Sequence, residues 1–308
     1  MRRQDEGKIW TAPRVFSLGA LARRSFLRSM FLLRNKIGVK RQHTVLDFSA
    51  TEKMSAEGAL LFLAELRRLI WHVKGGVEVG CILPHNNKVA QVLKQIGVLD
   101  LLSVSSSIVP VDDDVINWRT AHGRLVLGEK YDDILEHYDG AIAEVLQDKL
   151  YTGITEAMTN VINHAYDLER DDGLDVKVEK DWWMFSQQMN GFLTIVFCDL
   201  GAGIPRTLPA KRASVWRKIL KGGRTSDADV IKFAAEDSVS RTRKEYRGKG
   251  LGQIVRVVSG LPQASVQIFS NRGVYSVTGG SKQSASYGDS ILGTLIFWRI
   301  PLPVKEAV

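Results

Sequence analysis

The stretch EAMTNVINHA, residues 156–165, decides the fold of the C-terminal half of this 308-residue chain. At about 100° per residue, a helix places the apolar members of this stretch on one face. Glu156 and Asn160 then lie on the other side, one turn apart, with His164 nearer the edge. An amide oxygen can ligate a hard cation such as Mg²⁺, and a carboxylate can orient or deprotonate a water molecule. Polar helix faces often carry Glu and Asn by chance, so this stretch alone is a weak signal.

Two glycine-containing segments follow it. The first, DLGAGI at residues 199–204, comes directly after a predicted apolar strand, so Asp199 is placed to accept a hydrogen bond from a ligand. Gly201 and Gly203 allow backbone to approach that ligand closely. The second, GKGLG at residues 248–252, opens a predicted helix, where free N–H groups and the positive end of the helix dipole favour phosphate. Taken alone, the segment at 199–204 is also typical of an Asp-Gly turn. The segment at 248–252 has no predicted strand directly before it, as a dinucleotide-binding fold would require.

The three segments in this order resemble the N, G1 and G2 boxes of the GHKL ATPases, the superfamily of gyrase, heat-shock chaperone, histidine kinase and MutL. The resemblance covers residues 130–302 and includes Gly293-Thr294 in the last predicted strand. The form Glu-Ala-x-Thr-Asn-x-x-x-His is most similar to the anti-sigma-factor serine kinases. The resemblance implies a C-terminal GHKL (Bergerat) α/β sandwich with a mostly antiparallel sheet that binds ATP and Mg²⁺.

The resemblance also implies a role for each matching residue. Asp199 would bind the adenine amino group with support from Thr294, and Asn160 would hold Mg²⁺ against the phosphates. Glu156 would be the general base, acting on water in an ATPase or on a hydroxyl in a kinase. The other predicted nucleotide-binding residues are His164, Gly201, Gly203, Arg241, Gly248, Lys249, Gly250, Leu251 and Gly252. Arg241 and Lys249 are candidate cations near the γ-phosphate, and both also fit a solvated surface.

Hydrophobic patterns predict the other elements of this half. Asn190-Gly191 between two apolar runs predicts a hairpin. The polar segment 205–247 predicts a long lid with short helices. The predicted helices are 132–146, 149–166 and 250–259, and the predicted strands are 182–189, 192–198, 265–269, 274–278 and 292–300.

Residues 43–104 alternate strand and helix patterns, which predicts a smaller α/β domain. The block resembles the STAS domain of anti-sigma-factor antagonists, with MSAEG at residues 54–58 where that family has Asp-Ser-Ser-Gly ahead of a helix. Ala56 stands where the family has its phosphorylated serine, and Ser55 replaces the aspartate. This departure argues against the usual phosphorylation switch, and an unrelated α/β module stays an alternative.

The formal charge of +8 is unevenly distributed. Residues 1–41 hold eleven Lys or Arg against Asp5 and Glu6, which gives +9 and leaves the remainder near −1. Residues 16–34 predict an amphipathic helix that packs on the body, on a second subunit or on a lipid surface. The basic N-terminal segment could bind nucleic acid or another anionic surface. The alternative is a basic helix that is only solvated.

The cysteines and the apolar stretch near the start indicate the class of protein. Cys81 and Cys198 lie in apolar runs, which predicts reduced core thiols rather than a disulfide framework. Arginines interrupt the apolar stretch near the start, so no transmembrane segment is expected and the cytoplasm is the expected location. The predicted organisation is a basic arm at 1–42, a STAS-like domain at 43–104, a linker at 105–130 and a GHKL domain at 131–308.

The predicted function is ATP hydrolysis or phosphate transfer, regulated by the fused STAS-like domain. The alternative is a nucleotide-gated interaction switch with little turnover, binding nucleic acid through the basic arm. A protein partner or a homodimer is also expected.

Overall fold

A computed structural model describes residues 8–126, 144–174, 179–211, 225–240 and 250–302. Within these ranges the helices are α1 Ala20–Leu33, α2 Ala56–His72, α3 Asn87–Gln95, α4 Val98–Leu101, α5 Asp113–Ile116, α6 Glu144–Asn160, α7 Ile204–Lys211, α8 Asp227–Ser240 and α9 Gly250–Arg256. The strands are β1 Ile9–Thr11, β2 Val15–Phe16, β3 Thr44–Asp47, β4 Lys53–Met54, β5 Val79–Ile82, β6 Arg119–Gly123, β7 Trp182–Met189, β8 Phe192–Asp199, β9 Ser265–Ser270, β10 Gly273–Thr278, β11 Ser281–Ser286 and β12 Thr294–Pro301. Two π-helical turns, Arg34–Val39 and Val161–Ala165, extend α1 and α6.

The chain divides into two compact units, an N-terminal unit of Met1–Arg119 with Gly173–Lys177 and a C-terminal unit of Thr120–Asp172 with Val178–Val308. The C-terminal unit is built on a seven-stranded sheet in the order β11-β10-β9-β12-β8-β7-β6. The last strand, β12, lies between β8 and β9 and is antiparallel to both. The mixed α/β fold and the antiparallel sheet expected from the sequence are therefore confirmed.

One face of this sheet forms the core of the C-terminal unit. Alternate residues of a strand point to the same face, and in β8 the buried alternates are Leu193, Ile195 and Phe197. Side chains of α6, α8 and α9 join the same apolar cluster. The Trp298 indole of β12 also donates a hydrogen bond of 3.0 Å to the Ile254 carbonyl of α9. The helices that carry the candidate site are thus held against the sheet.

The N-terminal unit contains a parallel sheet in the order β1-β3-β5. Its core is aromatic: Trp10, Phe16, Phe48 and Phe62 pack with ring centroids 5.2 to 6.1 Å apart. Helix α2 is buried along most of its length because its two sides carry apolar residues. The order β3, α2, β5, α3 matches the alternation of strand and helix predicted for residues 43–104.

The predicted separate arm at 1–42 is not what the structure shows for residues 8–42. Strand β1 pairs with β3, the Trp10 indole donates to the Ser29 carbonyl at 2.8 Å, and Phe16 packs on Phe26 of α1. Because these contacts are long-range, the sequence pattern could not reveal them. The predicted amphipathic helix exists as α1, and its packing partner is the body of its own unit.

Two other segments differ from expectation. The predicted linker at 105–130 contains α5 and strand β6, which joins the edge of the large sheet. Within the predicted lid at 205–247, α8 is part of the core, since Ile231 and Ala235 are 0% and 1% exposed. The predicted helix at 132–146 lies mostly outside the described residues, and the next one already begins by Glu144. Among the residues described, no helix combines the length and the apolarity needed to cross a membrane.

A charged group is buried inside the N-terminal unit. The Glu65 carboxylate on α2 is 0% exposed and lies 3.3 Å from Arg34 Nη1 and 3.4 Å from Arg68 Nη1. Removing one member of a buried ion pair strands the partner charge in a medium of low polarity. This group therefore couples the end of α1 to α2.

Replacing Glu65 is expected to weaken the N-terminal unit. Glu65→Ala leaves two buried guanidinium groups without their shared carboxylate, which should lower the free energy of unfolding by about 3–5 kcal/mol. Urea titration followed by tryptophan fluorescence measures the change. The matched control is Glu78→Ala, whose side chain is 93% exposed, with an expected effect within about 0.5 kcal/mol. Equal stability of both variants would contradict the structural role.

Candidate functional site

Helix α6 presents two different faces, as predicted. Ile154, Ala157 and Met158 are at most 2% exposed and face the core. Glu156 and Asn160, on the other side, are half-buried. Burial raises the pKa of the Glu156 carboxyl above its ordinary value, which brings it closer to the range useful for a general base.

Glycine 250, the first residue of α9, lies against these two side chains. A Cβ atom at this position would be 2.6 Å from Glu156 Oε1 and 3.2 and 3.3 Å from Asn160 Nδ2 and Oδ1. The distance to Glu156 Oε1 is shorter than real Cβ atoms show, so the end of the Glu156 side chain would have to move if Gly250 carried a side chain. The structure thus brings together three predicted site residues from segments about ninety positions apart in the chain.

The Asn160 carboxamide has unused hydrogen-bonding capacity. Its Nδ2 atom is buried, and no described residue accepts a hydrogen bond from it. Buried polar groups nearly always have a partner, so this amide is suited to a ligand oxygen. The carboxamide oxygen is of the type that Mg²⁺ prefers. Among the described residues, no group of three His, Cys, Asp or Glu side chains could hold a metal ion by itself.

Asp199 ends strand β8 and is 5% exposed. One carboxylate oxygen accepts a hydrogen bond of 2.9 Å from the Gly201 N–H. The N–H and the hydroxyl of Thr294, which lies opposite Asp199 in the β8–β12 register, also donate to this carboxylate. Asp199, Gly201 and Thr294 are therefore in contact.

The environment of Asp199 opposes its ionisation. Burial raises its pKa from 3.8 to about 6, while the hydrogen bonds from Gly201 and Thr294 and the charge of Arg170 act in the opposite direction. Arg170 is held in place by a hydrogen bond of 2.8 Å from its Nε to the Leu292 carbonyl. Sequence reasoning missed Arg170, because nothing in the local pattern indicates that it reaches the residues just before β12.

The turn after Asp199 is locked to the end of α6. The Ala202 N–H donates to the Ala165 carbonyl at 2.8 Å, and a Cβ on Gly201 would be 2.3 Å from that same carbonyl oxygen. The Tyr166 hydroxyl accepts from the Leu200 N–H at 3.1 Å and donates to the Asp181 carbonyl at 2.6 Å. Burial raises the pKa of this phenol well above its usual value, so it stays a neutral donor.

Ser270 and Asn271, which were not predicted, connect the turn to β12. The Asn271 amide donates to the Ala202 carbonyl at 2.9 Å and accepts from the Gly293 N–H at 3.3 Å. The Ser270 hydroxyl accepts from the Ile204 N–H at 2.9 Å and lies 3.1 Å from the Thr294 hydroxyl. Ser270 ends β9 and Asn271 begins the turn to β10, but only the sheet order shows that both side chains face the turn after Asp199.

The other predicted site residues have different outcomes. His164 lies in the π-helical turn after α6 with an exposed side chain. Gly203 has φ +83° and faces the Asn271 side chain. Leu251 and Gly252 lie in α9, where Leu251 packs against the core and Gly252 is buried. Arg241, Gly248 and Lys249 lie outside the described residues.

The comparisons with known proteins add no relative. No protein-family model matches the chain, and no curated protein matches it. The case for the site therefore rests on the contacts of its own residues.

Removing the charge of Asp199 is expected to stabilise the C-terminal unit. The folded-state pKa of about 6 exceeds the ordinary 3.8, so the parent loses stability as the pH rises from the lower value through the higher. Asp199→Asn keeps an acceptor for Gly201 and does not titrate. Its advantage should reach at most about 3 kcal/mol at neutral pH and vanish near the lower pKa. Thermal unfolding across this range measures it; a variant that is less stable at every pH would refute the assignment.

Proposed function

We propose that the C-terminal unit binds ATP with Mg²⁺ in a GHKL-type site and hydrolyses ATP or transfers its terminal phosphate. The observation that carries this proposal is the contact of Gly250 with the Glu156 carboxylate and the Asn160 carboxamide. These residues come from the segments that resemble the N and G2 boxes. An antiparallel sheet with α6 and α9 packed on one face is also what that resemblance implies.

The phosphate end of the site would be formed by Asn160 and Gly250. Gly250 places its backbone against Glu156 and Asn160 without a side chain of its own in between, and a backbone N–H at the start of a helix can donate to an anionic oxygen. Asn160 has an amide N–H without an acceptor among the described residues and an oxygen suited to a hard cation. Bound Mg-ATP would supply a transferable phosphoryl group whose charge the cation partly neutralises.

Glu156 would handle the proton of the attacking group. Its half-buried carboxylate has a raised pKa, so it can accept a proton from a water molecule or a hydroxyl near neutral pH. Partial burial also reduces competition from bulk water around the carboxylate. The choice between water and a protein hydroxyl depends on the acceptor, so the same side chain suits an ATPase and a serine kinase.

The base end of the site would be formed by Asp199 and Thr294. An ionised carboxylate accepts a hydrogen bond from an exocyclic amino group, and Asp199 is oriented by Gly201 and Thr294. Because its pKa is about 6, binding through this group should weaken in mild acid. The network of Ser270, Asn271 and Tyr166 would keep the carboxylate in one orientation.

The N-terminal unit would be a STAS-like regulator. Its parallel β1-β3-β5 sheet and the helix α2 that begins after Ser55 support this part of the proposal. A phosphorylation switch on this helix has little support, because Ala56 has no hydroxyl and the Ser55 hydroxyl donates to the Phe16 carbonyl at 2.8 Å. Regulation would then act through binding rather than through modification.

Nucleotide binding is tested by calorimetry with Mg-ATP. Gly250→Ala should lower affinity by roughly tenfold or more, about 1.4 kcal/mol, because its Cβ displaces Glu156 and Asn160. Asp199→Asn should lose measurable binding. Gly288→Ala is the matched control, since a Cβ there meets no atom within 4 Å. Unchanged affinity in the first two variants would refute the pocket.

Turnover is tested separately with Glu156→Ala. This variant should keep Mg-ATP binding and lose phosphate release or transfer by about 10²–10⁴-fold, the usual contribution of a general base. Glu169→Ala, at an exposed position, is the control. Labelled phosphate found on protein indicates a kinase, and label in solution indicates an ATPase. Binding without turnover in the parent would favour the alternative, a nucleotide-gated interaction switch.

A further inference from the structure

Helix α1 carries a second apolar face that the fold leaves exposed. Leu21 is fully exposed at 103%, and Phe31 and Leu32 are 58% and 47% exposed. Arg24 and Arg28 lie among them and are also exposed. At 100° per residue these five side chains fall within an arc of about 100°. They form one continuous strip, here termed the α1 outer face.

The opposite face of α1 already serves the core. Phe26, Met30 and Leu33 are at most 1% exposed. The N-terminal unit therefore leaves all of the Leu21 side chain and about half of the Phe31 and Leu32 side chains in contact with solvent. Large apolar side chains exposed together on one helix face are unusual in a soluble surface and commonly mark a binding surface.

The chain segment that carries the α1 outer face has charges of one sign. No Asp or Glu occurs between Glu6 and Asp47. Beyond α1, Val39 is 51% exposed and is followed by the exposed Lys40 and Arg41. Two acidic residues of α2 contact this part of the chain, and both have partners away from the outer face. Glu57 accepts a hydrogen bond from the Ser17 hydroxyl, and Glu65 pairs with Arg34.

We propose that the α1 outer face docks the protein on an anionic lipid bilayer, with α1 lying in the plane of the interface. Leu21, Phe31 and Leu32 would enter the boundary between headgroups and acyl chains, where apolar side chains leave water. Arg24 and Arg28 would bury their methylene stems there and keep their guanidinium groups at the lipid phosphates. The α1 outer face thus supplies both apolar side chains for the acyl chains and positive charges for the lipid phosphates.

Other occupants match the strip less well. The phosphate backbone of a nucleic acid attracts Arg24 and Arg28, but it offers no apolar environment for Leu21 and Leu32. A second copy of the chain could cover the leucines. In a symmetric contact, however, it would bring the same arginines together, and like charges across an interface oppose association.

The test uses the full chain and sedimentation with vesicles. Vesicles of phosphatidylcholine mixed with phosphatidylserine should bind the protein, and vesicles of phosphatidylcholine alone should bind it much less. Added salt should weaken binding, because it screens the arginine charges. Arg24→Gln with Arg28→Gln should reduce partitioning roughly fivefold for each charge removed. Leu21→Ser with Phe31→Ser should reduce it by at least as much.

Matched controls separate this face from general surface effects. Val109→Ser with Val111→Ser changes two side chains of the same unit that are 70% and 67% exposed, and Lys53→Gln removes an exposed charge. Both controls should bind vesicles like the parent. Circular dichroism and thermal midpoints check that the variants fold. As a second measurement, a polarity-sensitive fluorophore on Leu21→Cys should shift to the blue with anionic vesicles.

Three outcomes would overturn the proposal. The first is vesicle binding that Leu21→Ser with Phe31→Ser leaves unchanged. The second is duplex DNA binding that needs Arg24 and Arg28 but not Leu21, without vesicle binding. The third is a concentration-dependent dimer that dissociates in the Leu21 variant, again without vesicle binding.

Discussion

The packing of α6 on the seven-stranded sheet is the contact on which the candidate site depends. Ile154 and Met158 are completely buried against the sheet, so the helix cannot rotate without exposing them. Glu156 and Asn160 are consequently held on the opposite side. At Gly153 the same helix meets α9 so closely that a Cβ would be 2.7 Å from a methyl group of Val257. Glycines thus set the approach of α9 both at its first residue and at its end.

The register of the sheet determines the other end of the site. Asp199 lies opposite Thr294 because β12, the last strand in sequence, enters between β8 and β9. The burial of a carboxylate has a free-energy cost, visible in the raised pKa of Asp199. The hydrogen bonds from Gly201 and Thr294 offset part of this cost, and they also orient the group. A stable fold alone would favour an uncharged residue at this position.

The positive charges of the N-terminal segment are only partly at the surface. Residues 1–41 carry an excess of positive charge, but two of their arginines are buried. Arg23 and Arg34 are 2% and 6% exposed. The aromatic cluster of Trp10, Phe16 and Phe26 with α2 and β3 makes residues 8–42 part of the unit. What is unusual about α1 is its outer face, where arginines and large apolar side chains share one strip.

The sequence by itself determined the elements whose signal is local. These include α2, the Asn190-Gly191 hairpin with positive φ at both residues, and the two faces of α6, with Glu156 and Asn160 on the side away from the core. Periodicity and turn chemistry specify such features within a few residues of chain. Strands β1, β2 and β4 escaped prediction because they have only two or three residues, β11 because it is fully exposed, and β6 because its sequence RTAHG has no apolar run. Only the tertiary structure decided that Ser270, Asn271 and Arg170 support the site and that α8 belongs to the core. These contacts join residues far apart in sequence, and they depend on sheet order and burial, which no local pattern encodes.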